Sequence, residues 1–316
     1  MVERDHIAQS KSIHRQTGRT FYYATRLLPG RVREATYILY AYFRLADEVV
    51  DDAEGTPPKE QRRKLESLRE QALGRSEPET PVLKAFQVIR ERHDIEEEDI
   101  ETFIDAMATD IETRRYESYA DLEAYMNGSA AAVGRMMTAV MEPENPETAL
   151  PHATALGEAF QLTNFVRDVR EDIVDRDRIY LPQSTLEEEG VTNEQIECFE
   201  MDENVARAIQ TELTRAESLY RTGVAGIKYL PRDCQLPVLL AAVLYAEHHR
   251  LIRGCGYDVL TNEPELSTAR KLWIVARVRW HWQWMGDPEA VFYRTSAVTG
   301  PTSQTTGRRH KGLPTR

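Results

Sequence analysis

Helical spacing runs almost unbroken from residue 6 to residue 284, and the alternating Val/Ile/Thr runs that would mark a sheet are missing. Apolar residues recurring every three or four positions form a stripe on one side of a helix, whereas a strand needs a period of two. The spacing predicts helices over 6–25, 31–52, 59–73, 80–93, 97–116, 119–140, 147–175, 203–228, 235–253 and 266–284. Breaker chemistry separates them at Gly55-Thr56-Pro57-Pro58, Pro143 to Pro146, Leu181-Pro182, Pro231 and Gly254 to Gly256. No linker is long enough to separate a second domain, so one all-α domain over 1–295 is expected. From Ser296 the composition turns to Thr, Gly, Ser and Pro and runs into a basic stretch, Arg308-Arg309-His310-Lys311. Residues 296–316 therefore read as a disordered tail.

Composition narrows the function. Apolar residues make up 41% and charged residues 29% of the chain, a soluble globular balance. No stretch reaches the roughly 20 apolar residues of a membrane span. The start, MVERDHIAQSKS, lacks the apolar region of a signal peptide, so a cytoplasmic protein is expected. Cys198, Cys234 and Cys255 are scattered and odd in number, which speaks against a structural zinc or a disulfide framework. The net charge of −12 argues against a nucleic-acid partner, which calls for a basic face. There is no G-x-G-x-x-G or phosphate-loop pattern.

Two segments carry chemistry. In 40–52, YAYFRLADEVVDD, Asp47 and Asp51 stand four apart and share one helix face with Tyr40 and Arg44. Ile38, Tyr42, Leu45 and Val49 lie opposite. In 161–182, QLTNFVRDVREDIVDRDRIYLP, Gln161, Asn164, Asp168 and Asp172 share a face, while Leu162, Phe165, Val166, Val169 and Ile173 share another. Like charges at i,i+4 destabilise a helix, and a cation would turn that repulsion into coordination. Four carboxylates with amide oxygens form a hard oxygen set suited to Mg²⁺, with Mn²⁺ as the alternative. Either pair alone reads as a solvated helix face, since 52 of 316 residues are acidic and such pairs recur by chance. Two pairs, each on an apolar helix beside amide or arginine companions, favour the metal reading.

Asp47-Glu48-Val49-Val50-Asp51-Asp52 resembles the first aspartate-rich motif of the phytoene and squalene synthase family. Residues 161–182 resemble its second motif almost end to end. Arg19-Thr20-Phe21-Tyr22, Leu28-Pro29, Tyr40-Ala41, Asp110-Ile111, Arg115-Tyr116 and the Tyr125 to Gly134 stretch also match, so the similarity covers residues 8 to 285. The chain departs from the family at YMNGSAAAVG, where Met126, Ser129 and Ala131 replace Cys, Val and Gly. Thr20 stands in place of the usual Ser.

The resemblance implies an isoprenoid-synthase helical fold, a single domain with a central apolar cavity below two facing aspartate motifs. By position, Asp47, Asp51, Asn164, Asp168 and Asp172 would hold Mg²⁺, with Gln161 close by. Arg44, Arg167 and Arg178 would contact diphosphate, and Arg170 is near enough in sequence to join them. Tyr40, Tyr125, Tyr180 and Tyr245 match polar aromatic positions beside the reacting diphosphate, and Phe21 would line the prenyl channel. The implied reaction is head-to-head condensation of two prenyl diphosphates. Phytoene formation from two geranylgeranyl diphosphates needs no NADPH. The rival is squalene or dehydrosqualene formation from two farnesyl diphosphates. The N-terminal SKSIHRQTGRTFYYATRLLP stretch and the WHW segment look more like the phytoene branch. A non-catalytic helical partner of the same fold would tend to lack aspartates of one motif, and all four are present.

Trp273, Trp280 and Trp284 share a helix face among Arg270, Lys271, Arg277 and Arg279. Core packing is the ordinary meaning of such a row, and peripheral membrane contact is the alternative. His248-His249 point about 100° apart on a helix, so they are not a joint ligand pair.

Overall fold

The computed structural model describes residues 24–51 and 55–300, and within them the chain is helical, with one isolated parallel bridge between Arg115 and Ile179. Helix α1 (Gly30–Val50) follows Pro29, whose extended backbone sets its start. Three helices follow: α2 (Pro58–Ala72), α3 (Pro81–His93) and α4 (Glu97–Thr109). Proline at the first helical position opens α2 and α3, where its missing N–H costs nothing. Helix α5 (Tyr119–Met126) begins with a reciprocal cap between Ser118 and Asp121.

The expected helix 119–140 is one element in outline, but its middle, Asn127–Ala131, is wound as a π-helix before α6 (Ala132–Met141). Gly128 lies in this wide turn, where a Cβ would stand 2.5 Å from both the Ala106 Cβ and the Thr102 carbonyl oxygen of α4. Helix α7 (Pro146–Arg167) occupies the middle of the molecule, touching α6, the π segment, α11 (Glu203–Val224) and α12 (Arg232–Gly254). That position explains why α7 is apolar on more than one side.

The expected helix 147–175 is broken. Asp168 leaves the helical basin (φ −101°, ψ 17°), ending α7 and starting α8 (Val169–Arg176) in a new direction. Beyond it the chain adds α9 (Gln183–Glu188) and α10 (Asn193–Glu197), two short helices that the spacing did not predict. A further short helix, α14 (Pro288–Thr295), follows α13 (Thr268–Met285). The predicted 97–116 helix stops at Thr109, and residues 110–117 instead run beside 178–184. There the Ile179 N–H donates to the Arg114 carbonyl at 3.0 Å and the Gln183 N–H to the Tyr116 carbonyl at 2.8 Å.

Two apolar clusters hold the helices. One gathers α1 to α6 with the second-motif region, and the other gathers α11 to α14 around Leu239, Val243 and Phe292. Residues 296–300, assigned to the tail by composition, are tied down here: Val298 is buried and the Ala297 carbonyl accepts from Arg253. Core packing of the tryptophan row is not what the fold shows. Trp273, Trp280 and Trp284 face outward, while Ile274 and Val278, with parts of Val275 and Trp282, pack inward from α13. The three cysteines are free. Among the described residues, no helix is long and apolar enough to cross a membrane.

Candidate active site

Helices α1, α6, α7, α11 and α12 and the π segment enclose a cavity of about 460 Å³, the size of a small-molecule site. The charged and amide side chains of its lining come from the C-terminal halves of α1 and α7, with Tyr40, Arg44 and Asp47 from one and Gln161, Asn164 and Arg167 from the other, while Thr25, Thr36, Ser129, Thr138 and His152 add polar atoms elsewhere. The N-terminal halves of the same helices contribute Thr36 and Leu39, and Ala149, Ala153 and Leu156. Most of the remaining wall is apolar, including Phe43, Val133, Met137 and Val238. Tyr245 of α12 completes the polar lining, its ring stacked on Phe160 at 4.6 Å.

The acids of the two motifs carry the marks of crowding. Asp47 lines the cavity with its side chain 43% exposed. Desolvation, then the neighbouring Asp51 charge, pushes its pKa up to about 7. Desolvation and then Asp168 push Asp172 up to about 8. The Asp168 carboxylate is gripped by its neighbour Arg167, whose Nε donates at 2.6 Å. Asn164 Oδ1 is buried with no hydrogen-bond partner. Among the described residues, no three His, Cys, Asp or Glu side chains converge at metal-binding distance. The acids instead stand apart with guanidinium groups between them. Mutually repelling carboxylates and an orphaned amide oxygen are a donor set that a hard divalent cation fits.

One arginine that spacing does not single out joins the two motifs. Arg176 of α8 donates from Nε to Asp51 Oδ1 at 3.2 Å and from Nη1 to Asp172 Oδ1 at 3.3 Å. Its signal in the sequence is the i,i+4 spacing from Asp172, shared by several other arginine–acid pairs. Arg178 is buried behind it, 3.8 Å from both Asp51 and Asp110, and donates to the Asp110 carbonyl at 2.6 Å. Asp110 accepts from the Tyr125 hydroxyl at 2.6 Å, and desolvation pushes its pKa up to about 6. Asp110 was visible only within a matching dipeptide, yet it anchors both Arg178 and Tyr125.

The four tyrosines divide. Tyr40 and Tyr245 line the cavity. Tyr125 and Tyr180 sit with Tyr116 in an aromatic stack beside Asp110, where Tyr180 lies 3.9 Å over Phe165. Arg170 turns away from the site, donating to the Leu260 carbonyl at 2.9 Å and covering the Phe199 ring, so it is a structural tie and not a diphosphate contact. His248 and His249 diverge as expected: His248 Nε2 is 3.5 Å from Arg167, and His249 Nε2 is 2.9 Å from the Thr163 hydroxyl. Phe21 and Asp52 lie outside the described residues.

The family model of squalene/phytoene synthase matches residues 14–271. The chain is 34% identical to a phytoene synthase of Rhodobacter capsulatus over 264 residues, 81% of this chain and 76% of that one. It is 30% identical to a 15-cis-phytoene synthase of Synechococcus elongatus over 275 residues, 84% of this chain and 89% of that one. Among solved structures, a ligand-bound dehydrosqualene synthase superposes with a TM-score of 0.80 at 26% identity, covering 89% of this chain and 97% of that one. A squalene synthase from Alicyclobacillus acidocaldarius gives 0.69 at 25% identity, covering 80% and 95%. The chain belongs to the squalene/phytoene synthase family and has its all-α isoprenoid-synthase fold. Within that family it is a prenyltransferase of the phytoene synthase type.

Proposed function

We propose that this enzyme condenses two molecules of geranylgeranyl diphosphate 1′-1, releasing phytoene, two diphosphates and two protons. The supporting observation is a largely apolar cavity whose charged lining residues, Arg44, Asp47 and Arg167, belong to the two aspartate-motif helices, in a chain 34% identical to a phytoene synthase. In the first half, one substrate loses diphosphate, the second substrate's double bond attacks the allylic cation, and loss of a proton closes the ring of a cyclopropylcarbinyl diphosphate. In the second half that intermediate ionises, rearranges and loses a proton.

The chain's own residues suit each demand. Arg44 and Arg167 offer guanidinium donors to departing diphosphate. The stacked Phe160–Tyr245 wall and Phe43 present ring faces that attract a carbocation. The apolar remainder keeps out water that would quench it. Held by Asp47, Asp51, Asn164, Asp168 and Asp172, Mg²⁺ would supply positive charge that lets an acidic site accept diphosphate. No NADPH enters this reaction. The likeness to a dehydrosqualene synthase fold favours one second reading, condensation of two C15 substrates.

Incubation of the purified protein with Mg²⁺ and either C15 or C20 diphosphate, with and without NADPH, separates the two by product mass. A C40 product from C20 substrate, formed without NADPH, is expected. A C30 product alone would move the enzyme to the squalene branch.

A further inference from the structure

The outer face of α13 is out of character with the rest of the molecule. Trp273, Trp280 and Trp284 are 45%, 62% and 75% exposed, and Leu272 beside them is 61% exposed. The three indoles form one row about 16 Å long, at a rise of ~1.5 Å per residue. Exposed aromatic rows cost solubility and are retained where something covers them. The charge around the row is equally unusual. From Ser267 to Gly286 there is no acidic residue, yet Arg270, Lys271, Arg277 and Arg279 fall in this span of a chain whose net charge is −12. Acids resume outside it at Glu265 and Asp287. Arg270 and Arg277 both cover the Trp273 ring, at 4.2 and 5.0 Å; Arg270 is also paired with Glu247 of α12 at 2.8 Å, so the charge offered outward beside the row is chiefly that of Arg277 and Arg279.

We infer that this face of α13 docks on an anionic lipid bilayer. Indoles seat at the headgroup level, where an apolar body and a polar N–H are both satisfied, and flanking arginines meet lipid phosphate. Trp280 and Trp284 contact each other at 6.1 Å and Trp273 stands two turns before Trp280 on the same face, a row of exposed indoles that a fluid interface can mould itself around. The inner face of α13 (Ile274, Val278) is already spent on packing against α12 and α14, so docking needs no rearrangement of the core. Helix α12 in turn lines the cavity through Val238, Ala241 and Tyr245, which sets the bilayer one helix away from it.

Flotation of the full chain tests this without substrate, using vesicles of phosphatidylcholine alone or mixed with phosphatidylglycerol. The wild-type protein should float with the anionic vesicles and release as salt is added. Trp273→Ser/Trp280→Ser/Trp284→Ser should stay in the soluble fraction, and Arg277→Gln/Arg279→Gln should bind on the order of tenfold more weakly. Trp284→Ser alone, at the most exposed position, gives a variant with little packing to lose and should weaken binding. Wild-type protein that never floats, or a triple variant that floats equally well, overturns the inference. So does light scattering that shows a dimer dispersed by the triple substitution in protein that does not float, since the cover would then be a second copy.

Discussion

Asp51 and Asp172, more than a hundred residues apart in the chain, share one guanidinium: Arg176 reaches the first at 3.2 Å and the second at 3.3 Å. The two aspartate motifs are thus linked through a cation that the protein itself supplies. Arg178, 3.8 Å from Asp51, adds a second positive charge behind it.

Arg176→Gln removes a charge that shares carboxylates with any bound Mg²⁺. The half-saturating Mg²⁺ concentration should fall, because Asp51 and Asp172 lose a competitor. An unchanged or higher Mg²⁺ requirement would show that Arg176 does not share ligands with the metal.

Asp51→Asn and Asp168→Asn keep size and helicity but remove one negative charge each. Loss of even an outer-shell partner of a metal costs about 10–100-fold, so each variant should lose at least that much turnover with an unchanged circular dichroism spectrum. Near-normal turnover in either would sink the ligand assignment.

Glu158 on α7 predicts a pH-dependent stability away from the site. Desolvation, then the Glu123 charge, raises its pKa to about 7, against the opposing pull of Arg135. The folded state therefore favours the protonated acid. Its contribution is full below the ordinary value of 4.5 and is lost as pH climbs through about 7. Glu158→Gln should remove this slope, gaining on the order of 2–3 kcal/mol over wild type at pH 8 and almost nothing at pH 4. Urea unfolding at several pH values measures it, and parallel curves for the two proteins would refute the assignment.

Gly134→Ala tests the cavity wall. A Cβ at this position would stand 2.6 Å from the Ala153 carbonyl oxygen of α7, so the two helices must move apart. Overpacking of this kind costs about 1–3 kcal/mol. A thermal midpoint equal to wild type would mean the contact relaxes freely.

Most of the helical frame was legible because long amphipathic spacing and proline or serine starts act locally. Helices α9, α10 and α14 were not legible, being too short to display a period. The break at Asp168 was hidden because Asp168 and Asp172 keep i,i+4 spacing on either side of it. The aspartates, Asn164, Arg44 and Arg167 could be placed because each is bound to a helix face that the apolar residues define. The surroundings of Arg170, Arg176 and Arg178 were not legible: Arg178, expected at diphosphate, lies between Asp51 and Asp110, and Arg176 was not singled out, because where these side chains reach depends on the path of the chain after the break. Spacing likewise put three tryptophans on one face of α13 without saying whether that face looks inward or outward.

The glycine contacts around the cavity bear on how such an enzyme can diversify. Gly134, Gly157 and Gly223 all line it, and a Cβ on each would stand within 2.7 Å of Ala153, Ala130 or Leu156. That stretch of the wall is main chain against main chain, so a mutation there changes the spacing of helices before it changes the shape of the hole. Elsewhere the lining is made of side chains that project from α1 and α12, such as Leu39, Phe43, Val238 and Ala241. Substitution there reshapes the hole one side chain at a time, while the glycine-lined side keeps its helix spacing.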